Sequence, residues 1–312
     1  MRENKYNIPI LTEDIYWGKI PERELINIIE LIEDKGFSSF DKVMQKKLDF
    51  TYDDDRADWR FYIPLNRDSK VLDIGAGLGR ISIPLARVVN KVVSCDHSLS
   101  RMRFLKKRAE AEGLSDKIDV MVADVYNLPF EENSFDLIVM NGVLEWVGLT
   151  KIYSSPIEAQ IKSLEICRKL LKKGGHLYIG IENRFALVYL RATDHGGLMY
   201  TSYMPRFLAN IYYKIRGRGE YRTYTYSKKG YENLIHRSGF ENKANFYLLY
   251  PGYNLPRIII PYNSLHILKY AINSFRKSNN VLNRIILYLT NFNILLKIYR
   301  FVFFSFGIII KK

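Results

Sequence analysis

"VLDIGAGLGR", Val71–Arg80, is the stretch on which the fold turns. A short apolar run leads into three alternating glycines, Gly75, Gly77 and Gly79. Glycines at the tip of a buried strand let the backbone turn sharply against a ligand, because a Cβ would collide or forbid the φ angle. Dinucleotide-binding folds also open with a strand and a glycine loop, but their GxGxxG spacing puts the third glycine five residues after the first. Here the spacing is GxGxG. Asp73 precedes the loop, where a carboxylate can accept a hydrogen bond from an amino group.

Working outward, the alternation of strand and helix is regular. "RISIPLARVV" reads as a helix, "KVVSCD" as a strand, "SLSRMRFLKKRAEAEG" as a helix ending at Gly113, and "KIDVMVAD" as a strand. "FDLIVMNG" is a fourth strand, "SPIEAQIKSLEICRKLLKKGG" a helix and "HLYIGIEN" a fifth strand. Five β-α units of this length specify a doubly wound parallel α/β sheet. Upstream, residues 1–67 form an N-terminal helical segment that includes "PERELINIIELIEDKG" with its glycine stop. Residues 68–183 are the core, and 184–239, rich in Tyr and Arg, are too long for a β-α connection and read as an inserted helical cap. "ENKANFYLLY" and "RIIIPY" place further strands in 240–262, and 263–312 read as a basic amphipathic helical tail.

Two further acids fall at strand ends. Asp96 closes the second strand, 21 residues past Gly75, where a carboxylate can take both hydroxyls of a ribose. Asp124 closes the third, placed for an adenine amino group, with Val125 supplying backbone. Each acid alone could be an ordinary surface residue; three at consecutive strand ends beside a glycine loop are a poor coincidence.

The run Asp73–Gly79, the terminal Asp96, "ADVYNLPF" and "FDLIVMNGVLEWV" together resemble the class I S-adenosylmethionine-dependent methyltransferases, over about residues 68–183. The resemblance implies a seven-stranded Rossmann-like sheet whose last two strands are "ENKANFYLLY" and "RIIIPY". It implies S-adenosyl-L-methionine as cofactor, its methionine part held by Asp73, Gly75, Ala76, Gly77 and Gly79, its ribose by Asp96 with His97 beside it, and its adenine by Asp124 and Val125. Asn141, ending the fourth strand, joins that set.

Methyl transfer from a sulfonium is mostly positioning plus removal of one acceptor proton. No HExxH, CxxC or carboxylate cluster in the sequence calls for a metal. The fourth strand ends in "NGVLEWVG" rather than the Asn/Asp-Pro-Pro-aromatic string of base- and glutamine-methylating enzymes, which disfavours nucleic acid as acceptor. The stretch "GIENRFALVYLRATDHGG", Gly180–Gly197, is more informative. It carries Glu182, Asn183 and Arg184 off the fifth strand and sets Asp194 beside His195. A histidine has the right pKa to deprotonate a hydroxyl near neutral pH. Neighbours in sequence can point apart, so Asp194 need not be its partner. The expected catalytic set is His195, Asp194 and Glu182.

The string "IGIENRF…DHGGL…MPRFLANIY…YRTYTYSKKGYENLIHRSGF" also resembles a narrower group, methyltransferases found with glycosyltransferases in surface-polysaccharide gene clusters. That group has Gly where Ala186 stands and often Ser or Thr where Gly196 stands. The resemblance implies O-methylation of a sugar, or of a phosphate on a glycan, attached to a lipid carrier. Asn183, Arg184, Tyr224 and Tyr226 would then hold the acceptor, since aromatic faces stack on sugar rings. Arg216, Arg218 and Arg222 could meet a pyrophosphate or form a solvated face. A small-molecule or quinone-type methyltransferase and a non-catalytic scaffold for glycosyltransferases are the alternatives.

Charge is unevenly placed. Residues 1–183 hold 27 Lys/Arg against 29 Asp/Glu, whereas 184–312 hold 20 against 4. After Glu241 there is no acid, and Phe301–Ile310 carry no charge. Ten residues are too few to span a bilayer. A basic, aromatic-rich tail suits an anionic membrane surface, so the expected location is cytoplasmic, peripheral on the inner face of the cell membrane. Cys95 and Cys167 read as small buried hydrophobes in a reducing compartment, and the N-terminus lacks an uninterrupted apolar h-region.

Overall fold

The computed structural model describes residues 6–16, 20–39, 46, 48, 51–275 and 292–312. Its elements in chain order are α1 (Glu22–Lys35), β1 (Lys70–Ile74), α2 (Ser82–Ala86), β2 (Lys91–Asp96), α3 (Leu99–Ala111), β3 (Ile118–Val122) and β4 (Phe135–Asn141). They continue with α4 (Pro156–Leu170), β5 (Leu171–Glu182), α5 (Arg206–Ile215), α6 (Lys228–Arg237), β6 (Asn245–Tyr250), β7 (Ile258–Pro261), α7 (Leu265–Phe275), α8 (Asn293–Phe301) and β8 (Ser305–Lys311). The chain divides into two units, one of residues 1–141, 166–178 and 312, the other of 142–165 and 179–311.

The first unit carries the parallel strands β3-β2-β1-β4. β1 lies in register with both neighbours, Val71 opposite Val92 on one side and Leu137 on the other. These strands are near-continuous apolar runs because helices cover both faces of such a sheet. From β1 the chain moves outward through β2 and β3, then returns to place β4 on the other side of β1. That reversal is where open α/β sheets bind ligands, at the carboxyl ends of their strands. α1 buries Leu25, Ile28, Ile29 and Ile32 against Phe104 of α3, the face its helical spacing requires. Trp59, in the 3₁₀ segment Asp54–Tyr62, stacks on Tyr178 with centroids 3.6 Å apart. Cys95 and Cys167 are free and buried, as small hydrophobes, and Cys167 Sγ lies 3.7 Å from Met140 Sδ.

In the second unit β6 runs antiparallel to both β7 and β8. The full strand order is β3-β2-β1-β4-β5-β8-β6-β7, a mixed sheet of eight strands, with β5 belonging to both units. This corrects the expectation of seven strands, and it places a strand within the tail read as helical. Ser305–Ile310 are buried strand residues next to β6, with Phe246 opposite Ile308. Ser305–Ile310, the greater part of the uncharged run, are apolar because they form an interior strand buried on both faces. A short continuous apolar run does not distinguish helix from strand by periodicity. Residues 265–275 and 293–301 are helical as read. No helix among the described residues is long and apolar enough to cross a membrane.

Candidate active site

The glycine loop of the first unit is folded back onto β2. Gly75 N and Ala76 N donate to Cys95 O at 2.8 and 3.0 Å. Gly77 and Gly79 both have left-handed φ, +57° and +83°, which side chains resist. At Gly79 a Cβ would also stand 2.2 Å from Leu105 Cδ1, whereas beside Gly77 there is open space.

Asp96 is buried and holds this loop in shape. Its Oδ2 accepts from Gly77 N at 3.0 Å and its Oδ1 from Ser98 N at 3.1 Å, with Arg101 Nη1 at 3.4 Å. A carboxylate oxygen accepts more than one bond, so both retain capacity for ribose hydroxyls. The open glycine side and the carboxylate beneath it fit the S-adenosylmethionine expectation.

Asp73 is fully buried, and its partner is Ser82 Oγ at 2.6 Å, which itself receives Ser94 Oγ at 2.9 Å. Burial pushes the Asp73 carboxyl up to about 7, against the opposing Ser82 bond and the charge of Arg56. The group therefore keeps its proton when folded over a range in which the unfolded chain, near 3.8, has lost it. Stability is present below the unfolded value and is lost as pH rises toward the folded one. We expect Asp73→Asn to melt like wild type below about pH 3.8 and above it by a margin that widens until about pH 7, measured on cofactor-free protein. An unaltered pH slope in the variant would assign the effect elsewhere.

The other cofactor residues are more varied. Asp124 Oδ1 accepts from Tyr126 N at 2.7 Å and Asn127 N at 2.9 Å, and its Oδ2 accepts from Thr12 Oγ1 at 3.1 Å. Here the carboxylate organises its own turn, and Val125 is buried beneath it. The His97 side chain is exposed, and its carbonyl accepts from Ile15 N at 3.0 Å. Asn141 is buried. With its amide oriented to satisfy both groups, its Oδ1 accepts from Arg56 Nη2 and Nε, each at 2.9 Å. Arg56 was not legible as a site residue; the 3₁₀ segment brings it to the end of β4.

The second unit gathers an acid-histidine cluster. His195 Nε2 lies 3.0 Å from Glu182 Oε2 and 3.7 Å from Glu145 Oε1, and Glu145 is fully buried. The Trp146 ring meets the imidazole edge to face at 4.9 Å. Burial alone would lower the His195 pKa. The Glu182 bond and the charges of Glu182, Glu145 and Asp194 outweigh it and raise the pKa to about 9. The three ligand atoms lie within 4.8 Å of one another, a donor set that could also hold a divalent cation. The sequence reading missed Glu145; the signal was an acid-aromatic pair, Glu145-Trp146, immediately after the fourth strand.

Asp194 requires a correction. It makes no hydrogen bond to His195. Its Oδ1 accepts from Gly196 N at 2.9 Å, and its Oδ2 from Thr201 Oγ1 at 2.6 Å and Tyr221 OH at 2.7 Å. It is the knot of a tight loop that presents His195, and Arg218 Nη1 braces that loop at Gly196 O, 3.0 Å. A Cβ at Gly196 would fall 0.9 Å from the Tyr213 hydroxyl, so this chain has no room for the Ser or Thr of the resembling group.

The expected acceptor residues make framework contacts. Asn183 is fully buried, donating to Phe301 O at 2.6 Å and Phe303 O at 3.0 Å. Arg184 Nε and Nη2 donate to Ser202 O at 2.6 Å and Met204 O at 2.5 Å. Tyr226 OH donates to Gln160 Oε1 at 2.7 Å, and the Tyr224 ring lies under Arg206 at 4.2 Å. Arg222 pins the 148–154 loop through the carbonyls of Gly148, Thr150, Tyr153 and Ser154 at 2.7–3.2 Å, which leaves it no fork for a pyrophosphate.

Residues 72–179 match a family model described as "Methyltransferase domain". A demethylmenaquinone methyltransferase of Paenarthrobacter aurescens is 34% identical over 146 residues, 47% of this chain and 49% of that protein. Phosphoethanolamine N-methyltransferase 1 of Caenorhabditis elegans is 37% identical over 94 residues, 30% of this chain and 19% of that protein. The chain thus spans half or less of the length of these two relatives. The solved structure of an S-adenosylmethionine-dependent methyltransferase from Methanosarcina mazei aligns at a TM-score of 0.46, 20% identical over 80% of this chain and 94% of that one. The glycine loop and Asp96 both lie within residues 72–179, the stretch that matches the methyltransferase domain model.

Proposed function

We propose that this protein transfers a methyl group from S-adenosylmethionine to a hydroxyl oxygen of a sugar or glycan, in the assembly of a cell-surface polysaccharide or glycoconjugate. The observation that carries an oxygen acceptor is the pairing of His195 Nε2 with Glu182 Oε2 at 3.0 Å beside the buried Glu145. S-adenosylmethionine supplies an activated methyl on a sulfonium, so a hydroxyl acceptor asks the protein for orientation and a proton acceptor. Neutral His195 takes the hydroxyl proton, and Glu182 and Glu145 stabilise the imidazolium that results. Glu182 is the positioning residue, since it fixes the imidazole through the bond that also raises its basicity. The Asp194 knot and the Arg218 brace hold the loop in which His195 sits.

The glycan rests on the resemblance of the 180–240 string, and the basic character of residues 184–312 suits a phosphate-bearing carrier. A quinone-type small molecule is the second reading, favoured by the name of the Paenarthrobacter relative. Mass spectrometry of surface glycans from a deletion strain separates the two. Loss of one methyl increment from a sugar supports the glycan, and an unchanged glycan profile with an altered quinone pool sinks it. Binding of S-adenosylmethionine without transfer to any extracted glycolipid or quinone would leave a cofactor-binding scaffold.

A further inference from the structure

Exposed apolar side chains of the second unit gather on three short elements. On α5, Phe207, Leu208, Ile211 and Ile215 share one face, while Ala209 and Tyr213 are buried on the other. Phe207 is 65% and Ile215 76% exposed. On α8, Ile294, Ile298 and Phe301 repeat the arrangement with Leu296 buried. The 3₁₀ turn Leu187–Leu190, exposing Leu187, Val188 and Leu190, joins the two. Leu187 N donates to Val302 O at 3.2 Å just past α8. On the other side, Tyr203 OH donates to Ala186 O at 2.7 Å just before α5.

The cations are interleaved with these side chains. Arg191, Lys214, Arg216 and Lys297 are exposed on the same elements. Across 184–218 and 292–312 the sole acid is Asp194, whose carboxylate is taken up by its own loop. An exposed apolar surface of this extent marks an interaction site. We infer that the face formed by α5, the 187–190 turn and α8 docks on an anionic lipid bilayer. The apolar side chains enter the headgroup boundary and the surrounding Lys and Arg meet acidic headgroups, the composition of an interfacial helix. RNA would use the cations but gain nothing from exposed Ile and Leu. The tail that sequence suggested for this task has its uncharged run locked into β8, so the contact moves to α5 and its neighbours.

Flotation of the full chain with phosphatidylcholine vesicles, with and without about 30% phosphatidylglycerol, tests this at low and high salt. The expected result is recovery with the anionic vesicles alone, falling several-fold as salt rises. Ile211→Ser with Ile215→Ser should lower recovery roughly tenfold, and Lys214→Gln with Arg216→Gln should weaken it and flatten the salt dependence. These positions are exposed, and unchanged thermal melting shows that the variants fold. Equal recovery with neutral vesicles, or no effect of the serine pair, would overturn the assignment. So would salt-sensitive binding to RNA that the serine pair leaves intact.

Discussion

His195→Ala is expected to lower kcat by about 10²–10⁴-fold, the usual worth of a positioned general base, with the Kd for S-adenosylmethionine held within about twofold. The variant removes the imidazole and leaves the glycine loop and Asp96 untouched, so the loss should fall on turnover. A second signature separates a base from a merely structural histidine. Because the His195 pKa is raised to about 9, only a minor fraction is neutral near pH 7. Wild-type kcat/KM should therefore climb with pH and level off near 9. Glu182→Gln removes the bonded charge, and should move the inflection down toward the ordinary histidine range while lowering the plateau. The same shift has a stability side. A raised histidine pKa contributes stability below its unfolded value of 6.5 that is lost as pH rises through about 9. Full activity in His195→Ala, or a flat pH profile between 7 and 9, would remove His195 as the base.

The second large effect is on cofactor binding. Asp96→Ala should raise the Kd for S-adenosylmethionine by about 100-fold or more, since hydrogen bonds to a charged group are worth about 1.5–3 kcal/mol each and two ribose hydroxyls would be lost. The bonds from Gly77 N and Ser98 N vanish as well, loosening the loop that the cofactor must find in place. Asp96→Asn keeps one acceptor oxygen and should recover part of the affinity. Titration calorimetry on refolding-competent variants decides it; an Asp96→Ala affinity within threefold of wild type would contradict the ribose assignment.

The parallel half of the sheet was legible because buried parallel strands and amphipathic helices write different periods into the chain. β1, β2, β3 and β4 fell where their apolar runs put them, and the glycine spacing located the loop. β8 was not legible, since a run such as Phe301–Ile310 satisfies a helix or a strand equally and only its neighbours decide. His195 and Glu182 were named from sequence, but Glu145 was not, because its role exists only where the chain after β4 meets the end of β5. That Asn183 and Arg184 spend their polar atoms on backbone carbonyls was not legible for a related reason. Polar groups crowded after a strand are as useful for satisfying buried carbonyls as for holding a ligand.

β8 also has a consequence for how the protein is made. It follows every other described element in the chain, yet β6 pairs with it along Asn245–Leu248. During synthesis β6 thus waits, with one edge unpaired, until some sixty residues later its neighbour leaves the ribosome. An open hydrophobic edge is an aggregation template, and such distant pairing is slow to form. Chains that stop short of Ser305–Lys311 should therefore be sticky and chaperone-bound instead of partly active.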